Sequence, residues 1–184
     1  MAHSNCKISN ISGLLRCPFA VMFGLGLISF SALMAAFSSE IFLALEPCIL
    51  CIYQRWPFAI VVALSVIGIT LCKRNKDNAK TIGAVFIGLS GLAMLVNSGI
   101  ALYHTGVEQK WWVSAVDGCI IPDFSAGASQ NWIENIMATP SANCADIPWQ
   151  DPIIGLSMAN YNVVLCFGLF MVCAVSVRYM RRRP

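Results

Sequence analysis

The sequence predicts an all-α membrane protein, a four-transmembrane-helix bundle with both termini cytoplasmic and a long second loop on the outer side. Three observations carry this. The chain has 184 residues, 58% of them hydrophobic and only 11% charged, whereas a soluble domain carries about 25% charged residues to cover its outside. Four apolar stretches are each roughly 20 residues or slightly longer, the length a helix needs to cross about 30 Å of hydrocarbon. Basic residues gather on one side of those stretches.

The first stretch runs over about 17–37, the second over 49–71, the third over 81–103 and the fourth over 153–177. None alternates with period 2, and Gly or Ser interrupts each in the manner of packed membrane helices. Lys7, Arg16 and the Ala36-Phe37-Ser38 triplet imitate a signal peptide. The first apolar run exceeds the 7–15 residues of such a core, so it reads as a retained span. The whole chain, 1–184, is expected to be one integral membrane domain with an outer loop over about 104–152.

Charge sets the orientation. Lys7, Arg16, Lys73, Arg74, Lys76, Lys80, Arg178, Arg181, Arg182 and Arg183 share one side, against Lys110 alone on the other and Arg55 inside a span. The positive-inside rule makes the crowded side cytoplasmic. Acids describe the outer face as negative: Glu40, Glu46, Glu108, Asp117, Asp123, Glu134, Asp146 and Asp151 lie there, and only Asp77 lies inside. Trp111, Trp112 and Trp149 sit near span ends on the outer side, where an aromatic belt belongs. The chain has no Rossmann glycine fingerprint, no P-loop and no basic outer face for nucleic acid.

Topology sorts the nine cysteines. Cys6, Cys17 and Cys72 fall at or inside the cytoplasmic boundary, where thiols stay reduced, and Cys166 and Cys173 lie within the fourth span as small packing residues. Cys48, Cys51, Cys119 and Cys144 share the oxidising outer face, where an even number invites pairing. Cys48 and Cys51 form a C-x-x-C; Cys119 and Cys144 would then close a loop. Structural staples are one alternative. A metal site is another, although zinc sites generally use two close-set pairs, and Cys119 and Cys144 are far apart.

Pro47 precedes the C-x-x-C and suits a first helical position, which places the motif in the first turn of the second helix. Free N–H groups and the positive end of the helix dipole favour a thiolate there. Arg55 lies four residues past Cys51 and seven past Cys48, on the same face. A charge within a span is functional by default, snorkelling to the interface being the alternative. Pro57 is expected to kink the same helix. In the outer loop, Trp132, Ile133, Ile136 and Met137 at helical spacing predict a short helix over 130–138, lying on the membrane or packed on the protein.

The stretch Pro47-Cys48-Ile49-Leu50-Cys51-Ile52-Tyr53-Gln54-Arg55 resembles the disulfide bond formation protein B (DsbB) family of bacterial inner membranes. Four spans, cytoplasmic ends and an outer Cys pair agree with it, as do Cys144-Ala145-Asp146, Trp149 and Gly155-Leu156-Ser157-Met158 before the fourth span. The resemblance implies a quinone-dependent thiol oxidase using ubiquinone or menaquinone. It implies that Cys119, with Cys144 as its mate, forms a mixed disulfide with a periplasmic, DsbA-like thioredoxin-fold dithiol protein. Electrons then pass to Cys48, which exchanges with the loop, and Cys51, which faces the quinone. Arg55 matches the family arginine implied to stabilise the quinone's negative charge. Tyr103-His104-Thr105 resembles a segment whose histidine lies near the quinone, although a boundary histidine is equally an interfacial residue. Gln54 departs from the Glu of some members and leaves local proton handling open. Two alternatives compete: a vitamin K epoxide reductase relative, in which the loop pair precedes the C-x-x-C, and a non-catalytic or metal-handling tetraspan protein.

Overall fold

The computed structural model describes residues 11–116, 119 and 142–181; the short helix expected over 130–138 lies outside them. The elements are α1 (Ile11–Arg16), α2 (Pro18–Leu43), α3 (Ile49–Arg74), α4 (Ala79–Glu108) and α5 (Met158–Arg181). Helices α2 to α5 are each long and apolar enough to cross a membrane, and the chain is a multi-pass membrane protein. Among the described residues there is no strand, only an isolated bridge between Gln150 and Ser157.

Local chemistry explains the boundaries. Pro18 opens α2, where its missing N–H would have had no helical acceptor. The helix ends at Ala44, whose left-handed backbone (φ 49°) returns its N–H to the Ser39 carbonyl. Pro57 lies inside α3 without ending it. The α3–α4 turn is stitched by Cys72, whose thiol donates to the Ala79 carbonyl at 3.3 Å.

Helices α2 and α3 run past the expected ends at 37 and 71 to Leu43 and Arg74, and the other two ranges shift for identifiable reasons. Helix α4 runs on through Glu108 rather than stopping at 103, so His104 is helical. The polar residues that end the apolar run find partners across the bundle: Thr105 donates to Asn160 at 3.1 Å, and Glu108 accepts from Ser157. Helix α5 starts at Met158 rather than 153, because residues 151–156 form a tight turn. Its Asp151 carboxylate accepts the Ile153 N–H, its Asp151 carbonyl accepts the Gly155 N–H, and Gly155 takes φ +73°.

Helix α4 is the central element, packed on both α3 and α5, while α2 leans mainly on α3. The core holds Met22, Val61, Ile87, Met94, Cys166 and Cys173, all essentially without exposed surface. Small residues bring helices close: a Cβ added to Gly91 would stand 2.8 Å from the Cys173 Cβ. Outside, Phe23, Phe30, Trp56, Leu92 and Val164 are exposed, as lipid contact requires. Cys72, Cys166 and Cys173 are buried free thiols, as expected of packing residues. Cys17 departs from the expectation of a reduced thiol: it is disulfide-bonded, at the buried break between α1 and α2. Sorting by compartment reads side, not proximity.

Candidate active site

All four outer cysteines meet at one end of the bundle. Cys48, Leu50, Val107, Cys119 and Cys144 form one buried cluster at the mouth between α3 and α4. Cys119 and Cys144 are joined as a disulfide across 25 positions, and the Cys144 N–H donates to the Cys119 carbonyl at 3.2 Å. The loop bridge is therefore seated against the start of α3.

Cys48 is the N-cap of α3, with extended backbone, rather than part of its first turn. Pro47 thus precedes the cap. As cap, the Cys48 sulfur accepts the Cys51 N–H at 3.3 Å and lies 2.7 Å from the Cys51 sulfur. It also lies 3.5 Å from His104 Nε2. The Cys51 thiol donating to it, the His104 imidazole and the Cys51 N–H together outweigh burial and hold the Cys48 thiol well below the usual range. Cys48 is therefore a thiolate at neutral pH in the reduced pair. The donor atoms of Cys48, Cys51 and His104 lie within 4.8 Å of one another. Two thiolates on one tetrahedral zinc stand roughly 3.8 Å apart, given Zn–S bonds of about 2.3 Å, so the close sulfurs suit a redox pair better than a metal.

His104 is oriented from behind by a buried polar chain. The Cys166 thiol donates to Asn162 Oδ1, Asn162 Nδ2 to Gln54 Oε1 at 2.5 Å, and Gln54 Nε2 to His104 Nδ1 at 2.9 Å. Because an amide nitrogen only donates, Nδ1 accepts and Nε2 carries the proton that faces Cys48. Glu108 stands 3.7 Å from that Nε2 and takes a 2.5 Å hydrogen bond from Ser157.

Arg55 pairs with Glu40 of α2 at 2.8 Å and stacks over Phe37, 5.1 Å from the ring centre. Arg55 sits on the wall of a cavity of about 810 Å³. Small residues of α2 (Ala32, Ala35, Ala36, Ser39) leave the space open, and Cys51, Arg55 and His104 edge it. Size, apolar lining and a few convergent polar groups are those of a small-molecule site.

All six residues singled out in the sequence thus converge here. Sequence reasoning missed Glu40, Glu108, Asn162 and Ser157 as participants. Only Glu108 left a signal, four residues past His104 on one helix face; the others come from elements remote in sequence.

The family model described as "Disulfide bond formation protein DsbB" matches residues 19–176. The chain belongs to the DsbB family. Among its relatives, disulfide bond formation protein B of Xanthomonas oryzae pv. oryzae (strain MAFF 311018) is 30% identical over 171 residues, 91% of this chain and 95% of that one. The protein of the same name from Shewanella sp. (strain MR-4) is 30% identical over 136 residues, 73% of this chain and 72% of its own length. That from Xanthomonas axonopodis pv. citri (strain 306) is 31% identical over 157 residues, covering 84% and 87%. No solved structure matches. As a DsbB family member with spanning helices, the chain is a membrane oxidoreductase of disulfide bond formation.

Proposed function

We propose that this protein oxidises a periplasmic, DsbA-like thioredoxin-fold dithiol protein and delivers the electrons to membrane quinone. It would lie in the bacterial inner membrane with both termini cytoplasmic and the cysteine cluster on the periplasmic side, as the basic residues direct. The observation that carries the reading is the seating of the Cys119–Cys144 disulfide in one cluster with Cys48, directly beside a cavity edged by Cys51. On this reading the two cysteine pairs are neighbouring stations of one relay, and the cavity behind the second serves the acceptor.

Each residue then has a role. Cys119 takes the mixed disulfide with the partner, Cys144 leaves as the released thiol, and the partner's second thiol resolves the bond. Both sulfurs are buried here, so the disulfide has to leave this seat to meet the partner and return to it to exchange with Cys48. Cys48, held as thiolate, exchanges with the loop. Cys51 faces the acceptor. A quinone headgroup fits the cavity's apolar walls, with Arg55 and His104 as its polar contacts, and when bound it supplies the two-electron sink. Arg55, neutralised by Glu40 and held over Phe37, keeps its remaining N–H groups for an oxygen that gains negative charge.

A Cys144→Ala variant leaves Cys119 without its mate, as a lone thiol that can be held in a mixed disulfide with the partner. Recovered from cells, it carries a thioredoxin-fold protein disulfide-bonded to Cys119. A variant that traps nothing, or traps through Cys51, sinks the reading.

A further inference from the structure

Oxidation and reduction of a dithiol move two protons as well as two electrons, and the fold places one acid where it can hold such a proton. Glu108 is the only buried acid among the described residues. Its carboxylate sits between His104 and Ser157, 3.7 Å from the same His104 Nε2 that lies 3.5 Å from the Cys48 sulfur. The groups that face it are Cys48 and Cys51 from the start of α3, His104 of its own helix and the hydroxyl of Ser157 ahead of α5. Glu46 and Asp146, from the connecting segments, line the same cavity, and Arg55 is engaged by Glu40.

A Cys48 thiolate adds a negative charge next to this carboxylate in a low-dielectric pocket, and two such charges cannot both persist uncompensated. His104 is poorly placed to absorb the difference. Its Nδ1 accepts from Gln54, and Gln54 is itself fixed by Asn162, so a second ring proton would break a buried hydrogen bond. We propose that Glu108 is the proton store of the Cys48–Cys51 pair, taking up one proton when the pair is reduced and giving it back when the pair is reoxidised. The proposal deepens the redox reading of this site and rests on it.

The step balances. The loop dithiol, Cys119 and Cys144, closes its own disulfide and releases two electrons and two protons. The Cys48–Cys51 bond breaks, Cys51 becomes a thiol, Cys48 a thiolate, and Glu108 a carboxylic acid. On reoxidation by a quinone-class acceptor the sulfur–sulfur bond reforms, and the Cys51 and Glu108 protons leave with the electron pair.

The test counts protons without quinone or partner. Full-length protein with Cys119→Ser and Cys144→Ser is equilibrated in detergent against dithiothreitol buffers over neutral pH, and the oxidised fraction of the remaining pair is read by alkylation and mass. Referred to a fixed potential, with the two protons that dithiothreitol itself exchanges counted, two protons per pair change the reduction equilibrium about 100-fold per pH unit, one proton about tenfold. The wild-type site and E108D give about 100-fold, and E108Q drops to about tenfold. A tenfold slope in the wild-type site, or an undiminished slope in E108Q, overturns the proposal. Should E108Q not fold, the reduced-minus-oxidised infrared spectrum decides instead: a protonated-carboxyl band that shifts in E108D supports the store, and no band overturns it. If the wild-type protein oxidises no thioredoxin-fold dithiol, the relay reading falls while this proton count stands unaffected.

Discussion

At the scale of single residues, the Cys48 thiol carries the most consequential perturbation. Its depressed pKa means that the thiolate's contribution to the reduced state is fully present above the ordinary thiol value of 9.0. That contribution is lost only as pH falls through the depressed value. Alkylation of Cys48 in the reduced protein should therefore be flat across neutral pH and fail only in acid. A Cys51→Ala variant, lacking the donating thiol, should move that midpoint upward, as read by mass spectrometry of the labelled protein. Arg55 permits a second residue-level expectation. Loss of one charge-assisted hydrogen bond costs about 1.5–3 kcal/mol, so Arg55→Met should raise the KM for quinone about tenfold or more in steady-state assays. The proximity of Arg55 to the C-x-x-C was readable from helical spacing, but its Glu40 counter-charge was not. Glu40 lies at the end of a different helix, and only packing brings the two together.

At the scale of elements, the hydrophobic runs located all four spans, because length and apolar content are what the bilayer constrains. Their ends were less legible. Hydropathy stops at the first polar residues, yet α4 continues through His104, Thr105 and Glu108, since these are satisfied by Gln54, Asn160 and Ser157 across the bundle. The start of α5 was displaced by the turn at Asp151, where a Tyr161 hydroxyl donates to the carboxylate and holds its pKa below the usual range. Gly155 closes that turn with φ +73° and open space around it. Gly155→Ala should therefore cost about 1 kcal/mol through backbone strain alone, visible as a lower Tm in detergent. Gly106 is the opposite case, because a Cβ there would collide with the Trp112 ring. Gly106→Ala should displace Trp112 from its stack on Tyr103 and change the near-ultraviolet circular dichroism.

At the scale of the whole molecule, the four-cysteine layout was visible once topology had sorted the cysteines, whereas the cavity that gives it direction was not. A cavity is a property of what α2 lacks, namely large side chains at positions 32, 35, 36 and 39, and no motif announces absence. The bundle thus joins a loop disulfide, a helix-capping thiolate and an apolar chamber into one line. On the proposed reading, electrons leave this line through Cys51 to quinone. Purified protein mixed with a reduced thioredoxin-fold dithiol protein and quinone, with oxygen excluded, measures this most directly. One quinol should form for each partner disulfide made, with no turnover when quinone is omitted and none in Cys51→Ser. Partner oxidation that proceeds without quinone, or survives in Cys51→Ser, would contradict it.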